Sequence, residues 1–118
     1  MQFRFSGGRP VYQQIVEQFR DAVLSGEYAP GERVPSVREL AAQARVNPNT
    51  MQRAMSLLEE EALLVCSSTA GRHVTRDEKV LAALRESAVS ALVEDFKKKL
   101  EDLGVSPQEA AELLLKER

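Results

Sequence analysis

Residues 47–53 read Asn-Pro-Asn-Thr-Met-Gln-Arg and carry side chains that can bond to the edges of base pairs. Asn and Gln amides can bond adenine through two atoms at once, and Arg can do the same to guanine or hold a phosphate. On a helical wheel, Asn49, Gln52 and Arg53 fall on one face, opposite an apolar face. A solvated helix face is usually rich in Glu and Lys, and these turns contain neither. The pattern favours a helix that enters the major groove of DNA, with an ordinary solvated helix as the alternative.

Two short helices joined by a tight turn are predicted to position this face. Pro35 ends the preceding segment, and Ser36 with Glu39 three residues later forms a capping box that predicts a helix start. Asn47 followed by Pro48 predicts the start of the second helix, because Asn caps well and a proline at the first helical position wastes no N–H. The predicted unit is a helix-turn-helix.

The flanking segments extend this unit. An amphipathic helix is predicted over residues 11–25, where apolar side chains recur at i, i+3, i+4 and i+7. A two-stranded hairpin is predicted between residues 63 and 75, since two short strand-like runs enclose small turn residues. Three helices and a hairpin make a winged helix-turn-helix, so residues 1–76 are predicted to be a DNA-binding domain. The residues expected at the hairpin tip are Thr69, Gly71 and Arg72.

The remaining chain predicts two further helices. Asp77 opens a long helix to about Leu103, where Gly104 stops it, and a short helix begins at Pro107. At about 1.5 Å per residue the long helix spans about 40 Å, and a small winged domain cannot cover so long an apolar stripe. Residues 77–118 are therefore predicted to form a homodimer contact; the alternative is that both helices fold back onto the winged domain. The side chains expected at the contact are Leu81, Leu84, Ala88, Leu92, Phe96, Leu100, Leu113 and Leu114.

Charge is distributed unevenly along the chain. The formal net charge is −2, yet residues 33–56 contain four arginines and one glutamate. A net acidic protein can bind DNA when its basic groups cluster, because only the local patch releases counterions. Residues 77–118 contain seven basic and ten acidic residues, so they are poor candidates for a DNA contact.

The composition argues against several classes of protein. His73 is the one histidine and Cys66 the one cysteine, which excludes a typical zinc cluster and an intramolecular disulfide, and Cys66 is expected to be a buried apolar residue. The sequence contains no Gly-rich phosphate loop, no apolar run long enough to cross a bilayer, and no secretory signal. We expect a cytoplasmic protein that is not an enzyme and needs no cofactor, metal or membrane. Nothing in the sequence points to a small-molecule effector.

Four motifs in the chain resemble the GntR family of bacterial repressors. They are Pro10-Val-Tyr-Gln-Gln-Ile, Gly31-Glu-Arg-Val-Pro-Ser-Val-Arg-Glu-Leu-Ala, Val46-Asn-Pro-Asn-Thr-Met-Gln-Arg-Ala and Thr69-Ala-Gly-Arg-His-Val-Thr. The second and third are specific, since a generic winged helix lacks both. The short two-helix tail is similar to that of the YtrA subfamily.

The resemblance implies a mainly α fold with a small β-hairpin and a short helical dimerisation region. It also implies a homodimeric transcriptional regulator that binds an inverted-repeat DNA operator, often of a transporter operon. By position, Ser36 would contact a phosphate, and Arg38 the backbone or a base at the groove edge. Gly71 and Arg72 would reach the neighbouring minor groove. The residues implied at or in the major groove are Asn47, Asn49, Thr50, Gln52 and Arg53.

The wing departs from the family pattern at two positions. Ser68 stands where an arginine is usual, and His73 where an aromatic residue is usual, so we expect a weaker grip on DNA. These departures and the acidic character of the chain leave open a winged-helix module that binds protein and not DNA. A regulatory fragment of an aminotransferase-like fusion is disfavoured, because a linker in place of the capped tail helices should be polar and irregular.

Overall fold

The computed structural model describes residues 1–69 and 71–116 and is mainly helical, with one small antiparallel hairpin in this part of the chain. The predicted fold class, a winged helix-turn-helix followed by two helices, is confirmed. The elements are α1 (Val11–Leu24), α2 (Val37–Ala44), α3 (Pro48–Glu60), β1 (Leu64–Ser67), β2 (Gly71–Val74), α4 (Glu78–Leu103) and α5 (Pro107–Leu115).

The first three helices enclose the main apolar core. The helical spacing of α1 brings Ile15 and Phe19 inward, where both are fully buried beside Leu40 of α2. The Phe19 ring stacks on that of Tyr28, with centroids 5.1 Å apart. Burying one such apolar side chain contributes about 1.5–3 kcal/mol, so this core fixes the mutual orientation of the helices.

The turn between α2 and α3 depends on one residue in the left-handed region. Arg45 has φ 57° and ψ 47°, and the N–H of Val46 donates to the carbonyl of Ala41 at 3.0 Å. A residue with a Cβ adopts this conformation at a cost of about 1–2 kcal/mol. The predicted tight turn between the two helices is therefore present, at Arg45 and Val46, and it sets the direction in which α3 begins.

The hairpin is joined by a third stretch of extended chain. β1 and β2 pair antiparallel from Leu64 opposite Val74 to Ser67 opposite Gly71. Arg33 forms an isolated antiparallel bridge with His73 on the free edge of β2. The expectation that the lone cysteine is buried is wrong: Cys66 is exposed, although strand alternation places it on the same face of β1 as the buried Leu64, because it lies nearer the hairpin turn, beyond the residues of the core.

The N-terminal residues lie along α1 and are held there by two glutamines. The amide of Gln14 accepts from the N–H of Ser6 and donates to its carbonyl, each at 2.9 Å. Gln18 makes the same pair of bonds with the backbone of Arg4. Such bonds satisfy backbone groups that would otherwise need a sheet partner, and they fix this segment against the helix.

The chain divides into two compact units, Met1–Leu84 and Arg85–Arg118. The first unit extends eight residues beyond the predicted boundary at 76, because the start of α4 belongs to it. Leu81 and Leu84 are partly buried and pack against the winged core. These two residues were expected at a dimer contact, and their apolar character is already explained within the first unit.

The second unit contains the rest of α4 and α5. Gly104, with φ 70°, ends α4, and the Ser106 hydroxyl caps α5 by accepting from the N–H of Glu109 at 3.2 Å. Leu100 and Ala110 are buried, so Leu100 is covered within one protomer although it was expected at the dimer contact. Among the described residues, no helix has both the length and the apolar character needed to cross a membrane. Within this second unit, the large exposed apolar side chains are Val89, Leu92, Val93, Phe96, Leu103, Leu113, Leu114 and Leu115.

Candidate nucleic-acid interface

The first turn of α3 is built as the sequence predicted. The side-chain oxygen of Asn47 accepts from the N–H of Asn49 at 2.7 Å, and Pro48 occupies the first helical position. Met51 and Met55 are fully buried on the inner face of the helix. The cap and the buried face together hold the helix rigidly, so the opposite face is presented in one orientation.

The outer face of α3 carries the predicted base-reading side chains. Asn49, Gln52 and Arg53 are exposed, and Thr50, predicted at the edge of this face, is half-buried. The Gln52 side-chain nitrogen donates to the hydroxyl of Ser56 at 3.0 Å, one turn further along. The face therefore presents two amides and one guanidinium to solvent, which are groups able to bond base edges in a major groove.

Arg53 is held from below by an aromatic ring. Its guanidinium carbon lies 3.7 Å from the centroid of the Tyr12 ring in the first turn of α1. The helical spacing of residues 11–25 places Tyr12 in the apolar stripe of α1 and does not by itself predict a contact with Arg53. The sequence signal for this contact was the position of Tyr12 at the outer end of the apolar stripe, where an aromatic residue with a polar tip can be half-buried.

The start of α2 presents one hydroxyl and one cation. The Ser36 hydroxyl accepts from the N–H of Glu39 at 3.1 Å and donates to its carboxylate at 3.1 Å. The predicted capping box is thus half formed, because the carboxylate bonds the hydroxyl and not the backbone N–H of Ser36. The Ser36 hydroxyl is exposed but already hydrogen-bonded to Glu39, and Arg38 is the exposed cation of α2.

The wing differs from the expected hairpin tip. Thr69 lies in the turn, whereas Gly71 and Arg72 belong to β2, because the register pairs Arg72 with Cys66. The Arg72 guanidinium forms an ion pair with Glu59 near the end of α3, and both side chains are partly buried. The expectation that Arg72 extends from the tip is therefore corrected: in this structure its charge is neutralised by Glu59.

A different arginine supplies the exposed charge beside the wing. Arg33 is exposed, makes no ion pair with a described residue, and passes so close to Gly71 that a Cβ there would lie 3.7 Å from its Nε. It lines a surface depression together with Ser36 and Glu39. Arg33 belongs to the predicted positive cluster of residues 33–56 but was not predicted among the DNA-contacting residues. Only its bridge to β2 brings it to the wing.

The arginines between residues 33 and 56 are all on the surface. Arg33, Arg38, Arg45 and Arg53 are exposed, on the bridge to the wing, on α2, in the turn and on α3. Exposed cations that replace condensed counterions give sequence-independent affinity for the phosphate backbone. The first compact unit thus combines exposed amides that are able to bond base edges with exposed cations that are able to bind phosphates, the two kinds of group that a DNA-binding surface needs.

Comparison with known proteins identifies the family. Residues 11–74 match the model of the bacterial regulatory proteins of the gntR family. The chain belongs to the GntR family. Among its GntR relatives, the HTH-type transcriptional repressor YtrA of Bacillus subtilis is 33% identical over 93 residues, which cover 79% of this chain and 70% of that protein.

Solved GntR structures agree with the fold. A GntR family transcriptional regulator from Listeria monocytogenes has a TM-score of 0.85 and 31% identity, and the match covers 97% of this chain and 100% of that one. The DNA-binding domain of AraR, solved in complex with operator ORE1, has a TM-score of 0.54 and 25% identity, covering 64% of this chain and 94% of that one.

These matches confirm the predicted GntR membership and YtrA-like character of the chain. They also confirm that it is a DNA-binding transcriptional regulator and not an enzyme. The alternative of a winged module that binds only protein is disfavoured by this membership and by the four exposed arginines.

Proposed function

We propose that this GntR-family chain is a homodimeric repressor that binds an inverted-repeat operator. The observation that carries the proposal is the outer face of α3, where Asn49, Gln52 and Arg53 are exposed above a fully buried inner face. The name of its relative YtrA, a transcriptional repressor, supports the direction of regulation. By the resemblance to the YtrA subfamily, a transporter operon is the first place to search for the operator.

In the proposed complex, α3 lies in the major groove of each half-site. Gln52 and Asn49 offer amides for adenine, and Arg53 offers its guanidinium to guanine or to a phosphate. Arg38 and Arg33 bind phosphates on either side of the groove and set the register of the helix. With about three such cations per protomer, the logarithm of the binding constant should fall against the logarithm of salt concentration with a slope of about −5.

The second compact unit is proposed to join the two protomers. Leu92 is 70% exposed and Phe96 is 41% exposed, and they lie one turn apart on α4. A contact between identical faces related by a two-fold axis buries the same residues on both copies. Such a dimer presents two α3 helices to half-sites about 34 Å apart, or a multiple of that spacing, which is why an inverted repeat is expected.

Operator binding by the full-length protein tests the proposal. Fluorescence anisotropy is measured with a labelled duplex from the region upstream of the gene, and with a scrambled duplex of the same composition. Arg53→Ala should weaken operator binding by about 1–3 kcal/mol, because a bidentate base contact or a phosphate contact is lost.

The matched control is Glu60→Ala, an exposed position at the far end of the same helix. It should leave operator affinity unchanged or raise it slightly, since it removes a negative charge. Equal binding of both duplexes by the wild type would contradict sequence-specific binding. Unchanged affinity in a folded Arg53→Ala protein would remove that residue from the interface.

A further inference from the structure

The contact between Arg53 and Tyr12 links the proposed DNA-binding face to the body of the molecule. The guanidinium carbon lies 3.7 Å from the ring centroid, well inside the limit of about 6 Å for a cation–π interaction. Helices α1 and α3, which carry Tyr12 and Arg53, pack directly against each other. The Tyr12 ring therefore packs against the guanidinium of Arg53, the one cation on the outer face of α3.

Both ends of this contact are fixed by buried neighbours. Tyr12 packs partly against the core one turn before the fully buried Ile15, and its hydroxyl accepts from the side-chain nitrogen of Gln13 at 3.2 Å. Arg53 lies beside Ala54, which is also fully buried. With both backbones held, the orientation of the guanidinium depends on the flexible Arg53 side chain and on the ring that it covers.

The manner in which Arg53 is held sets it apart from the paired arginines of the same unit. Arg9, Arg20 and Arg72 each form an ion pair with a glutamate, which neutralises their charge. Arg53 makes no ion pair or hydrogen bond with any residue that the structure describes, so its charge and its planar fork of N–H donors remain available. A stacked ring orients the plane of the guanidinium while leaving those donors free.

We propose that Tyr12 is a positioning residue for operator recognition. Its ring holds the Arg53 guanidinium in the orientation that donates to a base edge or a phosphate, before DNA arrives. Fixing an arginine side chain costs rotamer entropy, and part of that cost is then met in the free protein. The inference rests on the proposed function, because it assumes that Arg53 contacts the operator.

A double-mutant cycle with the full-length protein and the operator duplex tests this role. Tyr12→Phe keeps an aromatic face and should bind within twofold of the wild type. Tyr12→Leu removes that face and should bind threefold to tenfold more weakly, the range expected for an exposed to partly desolvated cation–π contact. In an Arg53→Ala background, the same Tyr12→Leu change should cost less than twofold.

Two further readouts separate positioning from a general structural role. Tyr12→Leu should leave the salt dependence of binding unchanged because the cation remains, whereas Arg53→Ala should reduce the magnitude of the slope by about two, since each protomer of the dimer loses one cation. In the free protein, the NMR signals of the Arg53 side chain should be shifted upfield by the ring in the wild type and in Tyr12→Phe, and should lose that shift in Tyr12→Leu.

The outcomes distinguish this inference from the proposed function. Additive losses in the double variant would show that Tyr12 and Arg53 act independently and would overturn the positioning role. An equal loss in Tyr12→Phe and Tyr12→Leu would assign the effect to the hydroxyl, with the same consequence. Failure of the wild type to prefer the operator overturns the proposed function itself, and the inference with it. The NMR shift in Tyr12→Phe keeps the test decisive if Tyr12→Leu does not fold.

Discussion

The two compact units of this protein use apolar side chains in opposite ways. In Met1–Leu84, the largest core residues, such as Phe19 and Leu40, are completely buried. In Arg85–Arg118, Leu92 is 70% exposed and Leu103 is 77% exposed. Exposed apolar area on this scale is costly for a helix in water. The first unit buries its largest apolar groups itself, whereas the exposed apolar face of the second is available for the proposed contact with a second copy.

The distribution of charge also differs between the two units. The first carries the four exposed arginines between residues 33 and 56, while the second, Arg85–Arg118, contains six basic and eight acidic residues. A surface with excess positive charge attracts DNA, and an apolar surface with negative charge is repelled by it. This contrast supports the proposed division of labour, in which one unit binds the operator and the other binds a second copy.

The largest effect is expected in the core of the first unit. Phe19→Ala should lower the free energy of unfolding by about 3–5 kcal/mol, since it removes a fully buried ring and leaves a cavity. Urea unfolding followed by circular dichroism measures the change. Val65→Ala, at a position that is 41% exposed in β1, should cost about 0.5 kcal/mol or less. Similar losses in both variants would contradict the assignment of the core.

A smaller effect is expected in the second unit, and it should appear in association. Phe96→Ser should weaken the dimer by about 2 kcal/mol, roughly thirtyfold, because each copy loses apolar area at the proposed contact. Sedimentation equilibrium measures the dissociation constant. Lys98→Ser, at an exposed position nearby, should leave it unchanged. A wild type that remains monomeric at all concentrations would overturn the dimer proposal.

The helix caps allow the two units to be compared with the same substitution. Ser36→Ala should lower the stability of the first unit by about 1 kcal/mol, because the N–H of Glu39 loses its acceptor. Ser106→Ala removes the equivalent bond at α5 and should leave the unfolding of the first unit unchanged. Near-ultraviolet circular dichroism reports on the tyrosines, both of which lie in the first unit. A matching loss in Ser106→Ala would show that the units unfold together.

The smallest effect concerns alkaline pH. Burial raises the pKa of Tyr28, and the charges of Glu27 and Glu32 raise it further. Because the folded pKa lies above the unfolded value of about 10, the unfolded chain releases its proton first. The stability that protonated Tyr28 contributes is therefore fully present below about pH 10 and is lost as the pH rises through the folded pKa. Tyr28→Phe should reduce this fall in urea midpoints between pH 9 and 11, and an unchanged slope would contradict the assignment.

Much of the first unit could be predicted from the sequence, because the deciding signals were local. The cap at Ser36 and the cap at Asn47 each involve a hydrogen bond across only two or three residues. The buried face of α3 follows from helical periodicity alone. The exposure of Gln52 and Arg53 followed in turn, since side chains opposite a buried face have only solvent to meet.

Where predictions were wrong or incomplete, pairing at a distance was responsible. The strand register moved Arg72 from the expected tip into β2, and its ion pair with Glu59 crosses from one element to another. Arg33 reached the wing through a bridge to His73 that no local pattern announced. Leu81 and Leu84 were predicted at the dimer contact because an apolar stripe on a helix does not indicate which surface covers it.

By itself, the sequence determined the helices, their caps and the polar face of α3, because each depends on interactions between residues within about one helical turn. The tertiary structure alone decided which exposed arginines stay free and which are paired. Tyr12 lies under Arg53, and Glu59 beside Arg72, only because packed helices and a paired strand bring distant segments together. The residue type determines the charge of a side chain, but the neighbours that folding places beside it determine whether that charge is free to bind DNA.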